Sequence, residues 1–374
     1  MSEEWVGFVH QATAKTSKEL TDLTVRTQIG LKLIEKAGNI KLGVDGSFEA
    51  QYPVDWKDAP VTSLGYGGQA TYAPRDYTKL ATMDWRGYLS TDMMHVKEQA
   101  ELGGSTARFV DRYARVVPKM LKGIRKKIGL ELYINGATSG NEDRFEGIET
   151  FCTTTGNTPL VADLVAKPTG TYHGLSTTPG AYGSWSSDKT TSPSTVDIAT
   201  DWPEGTGDPE YDYWTPKLVN WSSTAWPSGT NNTWADTGSY VLRRTAQWLL
   251  QTAGIEGDTL LALLNGELLT GFKDAQEPKL RTLAQHPQAR DLGFPNVLEY
   301  DGMMLKAEYG VPVNTGYVLN IDEVELQILK KEFITNVGPL FDPDSLAYKW
   351  AAYTFGNYKF IPKFCAKLYN YAAA

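Results

Sequence analysis

The chain has 374 residues, of which 41% are hydrophobic and 21% charged, with a net charge of −8. That balance describes a folded globular protein and excludes a disordered one. The negative total excludes a free-standing nucleic-acid binder, so any contact with DNA has to be local and non-specific.

Residues 1–38 read as an N-terminal arm. Within it, Leu23, Val25, Ile29, Leu31, Leu33 and Ile34 have helical spacing, and Gly38 stops the run. Residues 39–90 switch to alternation. Ile40, Leu42 and Val44, then Phe48, Ala50 and Tyr52, read as strands, with the tight-turn pair Asp45-Gly46 between them. Tyr72, Tyr77, Leu80, Met83 and Trp85 read as a return strand. The result is a long two-stranded excursion with little apolar matter of its own, predicted to be ordered by another subunit. Trp56, Lys57, Tyr66 and Tyr72 are its candidate contact residues.

Residues 93–102 read as a short helix ended by Gly103-Gly104. A long helix follows over 105–128. Phe109, Tyr113, Val116, Val117, Met120, Leu121, Ile124 and Ile128 recur at spacings of three and four, which makes one apolar face. At 1.5 Å per residue it spans roughly 35 Å. Arg108, Arg112, Arg115, Lys119, Lys122 and Lys126 form a second, basic stripe, a candidate surface for another subunit or for DNA. An ordinary solvated helix face is the alternative. Pro118 inside the helix is expected to bend it.

Residues 165–238 are rich in Gly, Ser, Thr and Pro, yet they carry Trp185, Trp202, Trp214, Trp221, Trp226 and Trp234, six of the eleven tryptophans. The composition predicts an irregular, β-leaning lobe with a small aromatic core of its own, packed by Trp214, Trp221 and Trp226. Next come a helix at 239–253, a buried strand at 259–264 and a helix at 266–275. Residues 297–309 read as two strands around the hairpin pair Asp301-Gly302. Val318, Val324, Leu326 and Ile328 continue a sheet. Residues 348–369 close the chain, with Pro362 marking an edge or a break.

The sequence shows no catalytic constellation. Its four histidines, His10, His95, His173 and His286, lie in unrelated contexts without metal-ligand spacing. There is no nucleophile elbow, no phosphate-cradling loop and no complete calcium loop at 208–212. Cys152 and Cys365 read as buried reduced thiols, and residues 1–15 lack the apolar core of a signal peptide. No catalytic, metal or cofactor site is expected, and no enzymatic activity.

The order of parts resembles a tailed-phage major capsid protein of the HK-97-like fold. Phe48 to Trp56 and Ala81 to Tyr88 are similar to the two sides of that family's extended loop. The 105–128 helix ending in Leu132-Tyr-Ile-Asn-Gly136 resembles its spine helix, and Phe145-Glu-Gly-Ile148 the lead into its axial domain. Leu260 to Phe272 resembles an axial strand and helix, 293–302 and 311–320 the late sheet, and Tyr358 to Phe364 the final strand. The lobe at 165–238 is longer than a minimal axial domain needs, and no cross-linking triad of Lys, Asn and Glu is identifiable.

The resemblance implies an α+β fold with an N-terminal arm (1–38) and an extended loop (39–90). It implies a discontinuous peripheral domain with the spine helix (91–155 and 341–374) and an axial domain (156–340) carrying the Trp-rich insertion at 165–238. It implies a structural subunit forming hexamers and pentamers of an icosahedral shell around phage double-stranded DNA. Its partners would be itself, a separate scaffolding protein, a portal protein, a decoration protein and non-specific DNA, with no membrane. It would be assembled in the host cytoplasm and reside in the virion capsid. An encapsulin-type compartment shell and a carbohydrate-binding decoration protein using the Trp-rich lobe are the alternatives.

Overall fold

The computed structural model describes residues 28–44, 49–55, 72, 78–101, 106–153, 164–166, 168–177, 214–227, 233–253, 260–276 and 298–370. Two sheets and one long helix organise them. The larger sheet is built on β9 (Leu260–Leu264), which reads Leu-Leu-Ala-Leu-Leu and is buried throughout. A continuous apolar run suits a strand covered on both faces. Here Leu261 and Leu263 enter one core, while Leu260, Ala262 and Leu264 enter the other.

Six more strands complete this sheet: β5 (Val165–Ala166), β8 (Lys217–Asn220), β10 (Leu298–Tyr300), β11 (Met303–Ala307), β12 (Thr315–Asn320) and β16 (Cys365–Tyr369). Their order is β10-β11-β9-β12-β16-β8-β5. The β10–β11 hairpin turns at Asp301 and Gly302, with φ of +51° and +76°. Two consecutive left-handed residues are what a two-residue hairpin turn of matching twist requires. Two helices supply Val241, Leu242, Trp248, Leu268, Leu269 and Phe272 to the core on one side of the sheet, α4 (Trp234–Ala253) and α5 (Gly266–Gln276).

The second sheet has five strands. Its spine is β15 (Ala347–Lys359), flanked by β4 (Arg86–His95) on one edge and on the other by β14 (Thr335–Asp342) and β13 (Glu325–Ile328). The short β1 (Ile40–Leu42) pairs parallel with β13. Against this sheet lies α3 (Thr106–Glu131), 26 residues with Pro118 inside. Its Tyr113, Val117, Met120, Ile124 and Ile128 are buried with Trp350, Ala352 and Met94 of the sheet. Each such side chain contributes about 1.5–3 kcal/mol of gross burial. The Tyr113 and Trp350 rings meet edge-on at 5.8 Å, and the Tyr358 hydroxyl donates to the Ile128 carbonyl at 3.0 Å.

A two-stranded ribbon, β2 (Glu49–Asp55) with β3 (Thr78–Asp84), runs out from β4. A small helix, α1 (Ile29–Lys36), packs Leu31, Leu33 and Ile34 into the core shared by both sheets. The Glu308 carboxylate accepts the Ile29 and Gly30 N–H groups at 2.7 and 3.1 Å, satisfying donors that a helix start leaves open.

Several expectations are corrected. The strands on either side of Asp45-Gly46 do not pair with each other, because β1 pairs with β13 and β2 with β3, and Asp45-Gly46 itself lies outside the described residues. The helix expected from 93 begins at Val96 in α2 (Val96–Glu101), because residues up to His95 stay in register with β15. Val318 and Leu326 lie in different sheets, β12 in the larger and β13 in the smaller. The expected domain boundary at 340 cuts through β14, and β16 leaves the sheet of β15 for the larger one. Pro362 supplies the physical reason: it opens a short 3-10 turn, Pro362–Phe364, between the two strands.

The Trp-rich region is the largest correction. Residues 178–213, with Trp185 and Trp202, lie outside the described residues. The described tryptophans do not make a core of their own. Trp214 joins the core shared by the long helix and both sheets. Trp221, Trp226 and Trp234 join the core under α4 and α5. Their indole N–H groups donate to the carbonyls of Asn314, Asn220 and Leu268 at 3.1, 2.8 and 2.7 Å, which lets a large polar-tipped ring be buried without an orphaned donor.

Candidate functional site

Two surfaces gather residues singled out in the sequence, and a third adds residues that were not. The first is the basic stripe of α3. Arg115 and Lys119 are exposed, and Lys122 and Lys126 are half-buried. Arg108 and Arg112 belong to the helix, but their side chains lie outside the described residues. The stripe is less uniformly basic than its sequence. Arg125 lies 3.5 Å from Glu35 of α1 and 5.4 Å from the centre of the Phe333 ring. Lys127 pairs at 2.9 Å with Glu131, which also receives Arg144 at 2.8 Å. A groove of about 910 Å³ runs beside it, between α1, α3 and the 332–334 turn, with Lys122 and Lys126 on one wall and Glu35 and Glu332 on the other.

The second is the ribbon. Ala50, Ala81 and Met83 at its root are buried, and Tyr52 and Val54 pack against the main core. Among its candidate contact residues, Trp56, Lys57 and Tyr66 lie outside the described residues, and Tyr72 stands 93% exposed. The root is fastened by a polar cluster that the sequence did not reveal. Arg86 donates to the carbonyls of Gly136 and Arg144 at 2.9 and 2.5 Å and to Oε1 of Glu146 at 2.5 Å. Burial alone would raise the Glu146 carboxyl, but His173 and Arg86 together hold it below its ordinary range. The only sequence signal for this cluster was the Tyr172-His173-Gly174-Leu175 alternation, which folds as a tight hairpin of β6 (Thr171–Tyr172) and β7 (Leu175–Ser176).

The third surface was not foreseen. On the five-stranded sheet, side chains facing away from α3 include Leu89 and Met93 of β4, Val337 and Leu340 of β14 and Phe355 of β15, all exposed. Met93, Val337 and Leu340 line a hollow of about 560 Å³ together with Asp92 and Lys349. Exposed apolar surface of this kind is a candidate interaction site. Among the described residues, no His, Cys, Asp and Glu side chains gather as a metal site, and no helix is long and apolar enough to cross a membrane.

No family model matches the sequence, and no curated protein matches it. Solved structures do. A capsid protein of the cyanophage A-1(L) asymmetric unit superposes with a TM-score of 0.55 at 11% identity, covering 95% of this chain and 96% of that one. This chain has the fold of a tailed-phage capsid protein. The capsid of a native GTA particle agrees, with a TM-score of 0.52 at 9% identity over 94% and 95% of the two chains. In this HK-97-like fold, α3 is the spine helix and the β2–β3 ribbon is the extended loop. At such identities the likeness is one of architecture.

Proposed function

We propose that the chain is a major capsid protein, a structural subunit that assembles into hexamers and pentamers of an icosahedral shell around phage double-stranded DNA. The observation that carries the reading is end-to-end correspondence with a solved phage capsid chain, 95% of one and 96% of the other. The unshielded apolar face around Leu89 and Phe355 supports it, since a shell subunit has neighbours to cover such a face.

In this reading the five-stranded sheet and the spine helix form the peripheral domain. The seven-stranded sheet with α4 and α5 forms the axial domain, into which β16 returns. The exposed part of the ribbon meets a neighbouring subunit. Arg115 and Lys119, with Arg108 and Arg112, supply non-specific electrostatics toward an acidic scaffold or packaged DNA. Scaffolding, portal and decoration proteins are the partners such a shell requires, the host cytoplasm is where it assembles, and no enzymatic activity is assigned.

Electron microscopy of the purified full-length chain, alone and with its scaffold, tests the reading. Closed icosahedral particles or capsomer rings are expected. A monomer under every concentration and salt condition would overturn it.

A further inference from the structure

The root of the ribbon converges on one buried side chain. His173 sits at the turn between β6 and β7 with φ of +49° and is only 5% exposed. A left-handed backbone is uncommon for any residue but glycine, although histidine adopts it more readily than most. Its own carbonyl accepts the Thr82 N–H of β3 at 2.9 Å. Its Nδ1 lies 2.6 Å from the Tyr52 hydroxyl of β2. Its Nε2 lies 3.1 Å from Oε2 of Glu146, close but without the alignment of a hydrogen bond. Tyr172 stacks on the ring at 3.8 Å between centroids. Arg86 of β4, on the other oxygen of Glu146, and Asp84 of β3 are the remaining charged groups that bear on it. His173 thus touches β2 and the segment that follows the spine helix through its ring, and β3 through its backbone carbonyl.

A neutral ring fits these partners. Nδ1 accepts the Tyr52 hydroxyl, and Nε2 carries the proton toward Glu146, a tautomer inferred from the partners. A second proton has to go onto Nδ1, the atom to which Tyr52 donates. We propose that His173 is a proton-operated latch: neutral, it fastens β2 and β3 to the loop after the spine helix, and protonated, it releases Tyr52 and loosens the ribbon at its root.

The direction of the pH effect follows from burial. Burial pushes His173 below its ordinary value of 6.5, Glu146 partly offsets this, and Arg86 adds to it. A depressed histidine contributes stability that is complete above pH 6.5 and is lost as pH falls through the lowered value. Glu146 is itself held below its ordinary 4.5, so its own loss begins only under stronger acid. Between those limits, loosening at this cluster belongs to His173.

The inference concerns the folded chain and does not depend on shell formation, so its test uses the full-length protein before assembly. Hydrogen exchange of the 49–55 and 78–84 amides is measured at about pH 7.5 and about pH 5, corrected for intrinsic rates. Protection is expected to fall roughly tenfold or more at the lower pH. His173→Gln keeps a hydrogen-bonding side chain that cannot charge, and its ribbon protection is expected to be the same at both pH values. Unchanged protection in the natural chain, or an undiminished pH effect in the glutamine variant, would overturn the latch. If that variant does not fold, the ring titration of His173 followed by NMR decides the matter. Its midpoint must coincide with that of ribbon loosening, and a separation of more than about one pH unit overturns the proposal.

Discussion

In the seven-stranded sheet, β9 sends alternate leucines into two cores, and both faces are covered by the chain itself. In the five-stranded sheet, β15 buries Trp350, Ala352 and Thr354 toward the spine helix, while Phe355 on β15 and Leu89 and Met93 on β4 face outward and are exposed. Both sheets are rich in apolar residues, so composition does not separate them. What separates them is whether the chain provides a cover, α4 and α5 in one case and nothing among the described residues in the other. A large apolar side chain left in water contributes nothing to the fold of its own chain, so the second sheet is the place to look for a contribution to assembly.

Four variants break or sharpen that contrast. The largest effect is expected from Trp214→Ala, which should cost about 3–5 kcal/mol in urea unfolding. It should also lower hydrogen-exchange protection in the spine helix, because Trp214 shares a core with Tyr113 and Ile124. Loss confined to 164–227 would restore the idea of a separate aromatic core. Next is Leu263→Ala, placed on the face of β9 away from α4 and α5, expected to cost about 2–5 kcal/mol. A loss below about 1 kcal/mol would mean that this face is not packed as described.

The outward face should behave in the opposite way. Leu89→Ser with Phe355→Ser is expected to change monomer stability by no more than about 0.5 kcal/mol per site while sharply reducing the yield of closed particles. Normal yields would remove the sheet face from the assembly surface. The smallest effect concerns Glu308, whose carboxyl burial raises above its ordinary 4.5, with the Ile29 and Gly30 N–H groups opposing the rise. A raised carboxyl contributes stability that is complete below pH 4.5 and is lost as pH rises through the raised value. Glu308→Gln, which still offers an oxygen to both N–H groups, should therefore flatten the melting temperature between about pH 4.5 and pH 7. An unchanged slope would show that the carboxylate's burial cost is offset in place.

The elements legible in the sequence were those specified locally. The spine helix announced itself through Tyr113, Val117, Met120, Ile124 and Ile128, β9 through its uninterrupted leucines, and the β10–β11 turn through Asp301-Gly302. Pro362 marked a real break between two sheets. The pairing partners were not legible. β1 lies close in sequence to β2 yet pairs with β13, nearly 300 residues away, and nothing within three residues of Ile40 encodes that choice. The tryptophans of the 214–234 region misled for a related reason. Their neighbours in sequence are polar, so a private core looked necessary, but Trp214 packs into the core under the spine helix and Trp221, Trp226 and Trp234 into the core under α4 and α5. Arg86, Glu146 and His173 were invisible because each is one ordinary polar residue on a different element, and only the fold brings them together. Of the candidate site residues, Arg115, Lys119 and Tyr72 stand on the surface where a partner could reach them, whereas Trp214, Trp221 and Trp226 are interior.

The position of β16 bears on the order in which the molecule can be made. Within its sheet, β16 lies between β12 and β8, so it is the strand that joins the β5–β8 pair to the rest. Its partner Lys217 is roughly 150 residues upstream of Ala366, a closure that comes late because long chain segments must meet before any contact rewards them. A nascent chain that has emerged only as far as residue 360 therefore holds β8 without its parallel neighbour, while the five-stranded sheet already has all its strands. The five-stranded sheet can therefore close without the segment beyond Pro362, whereas the seven-stranded sheet waits for it.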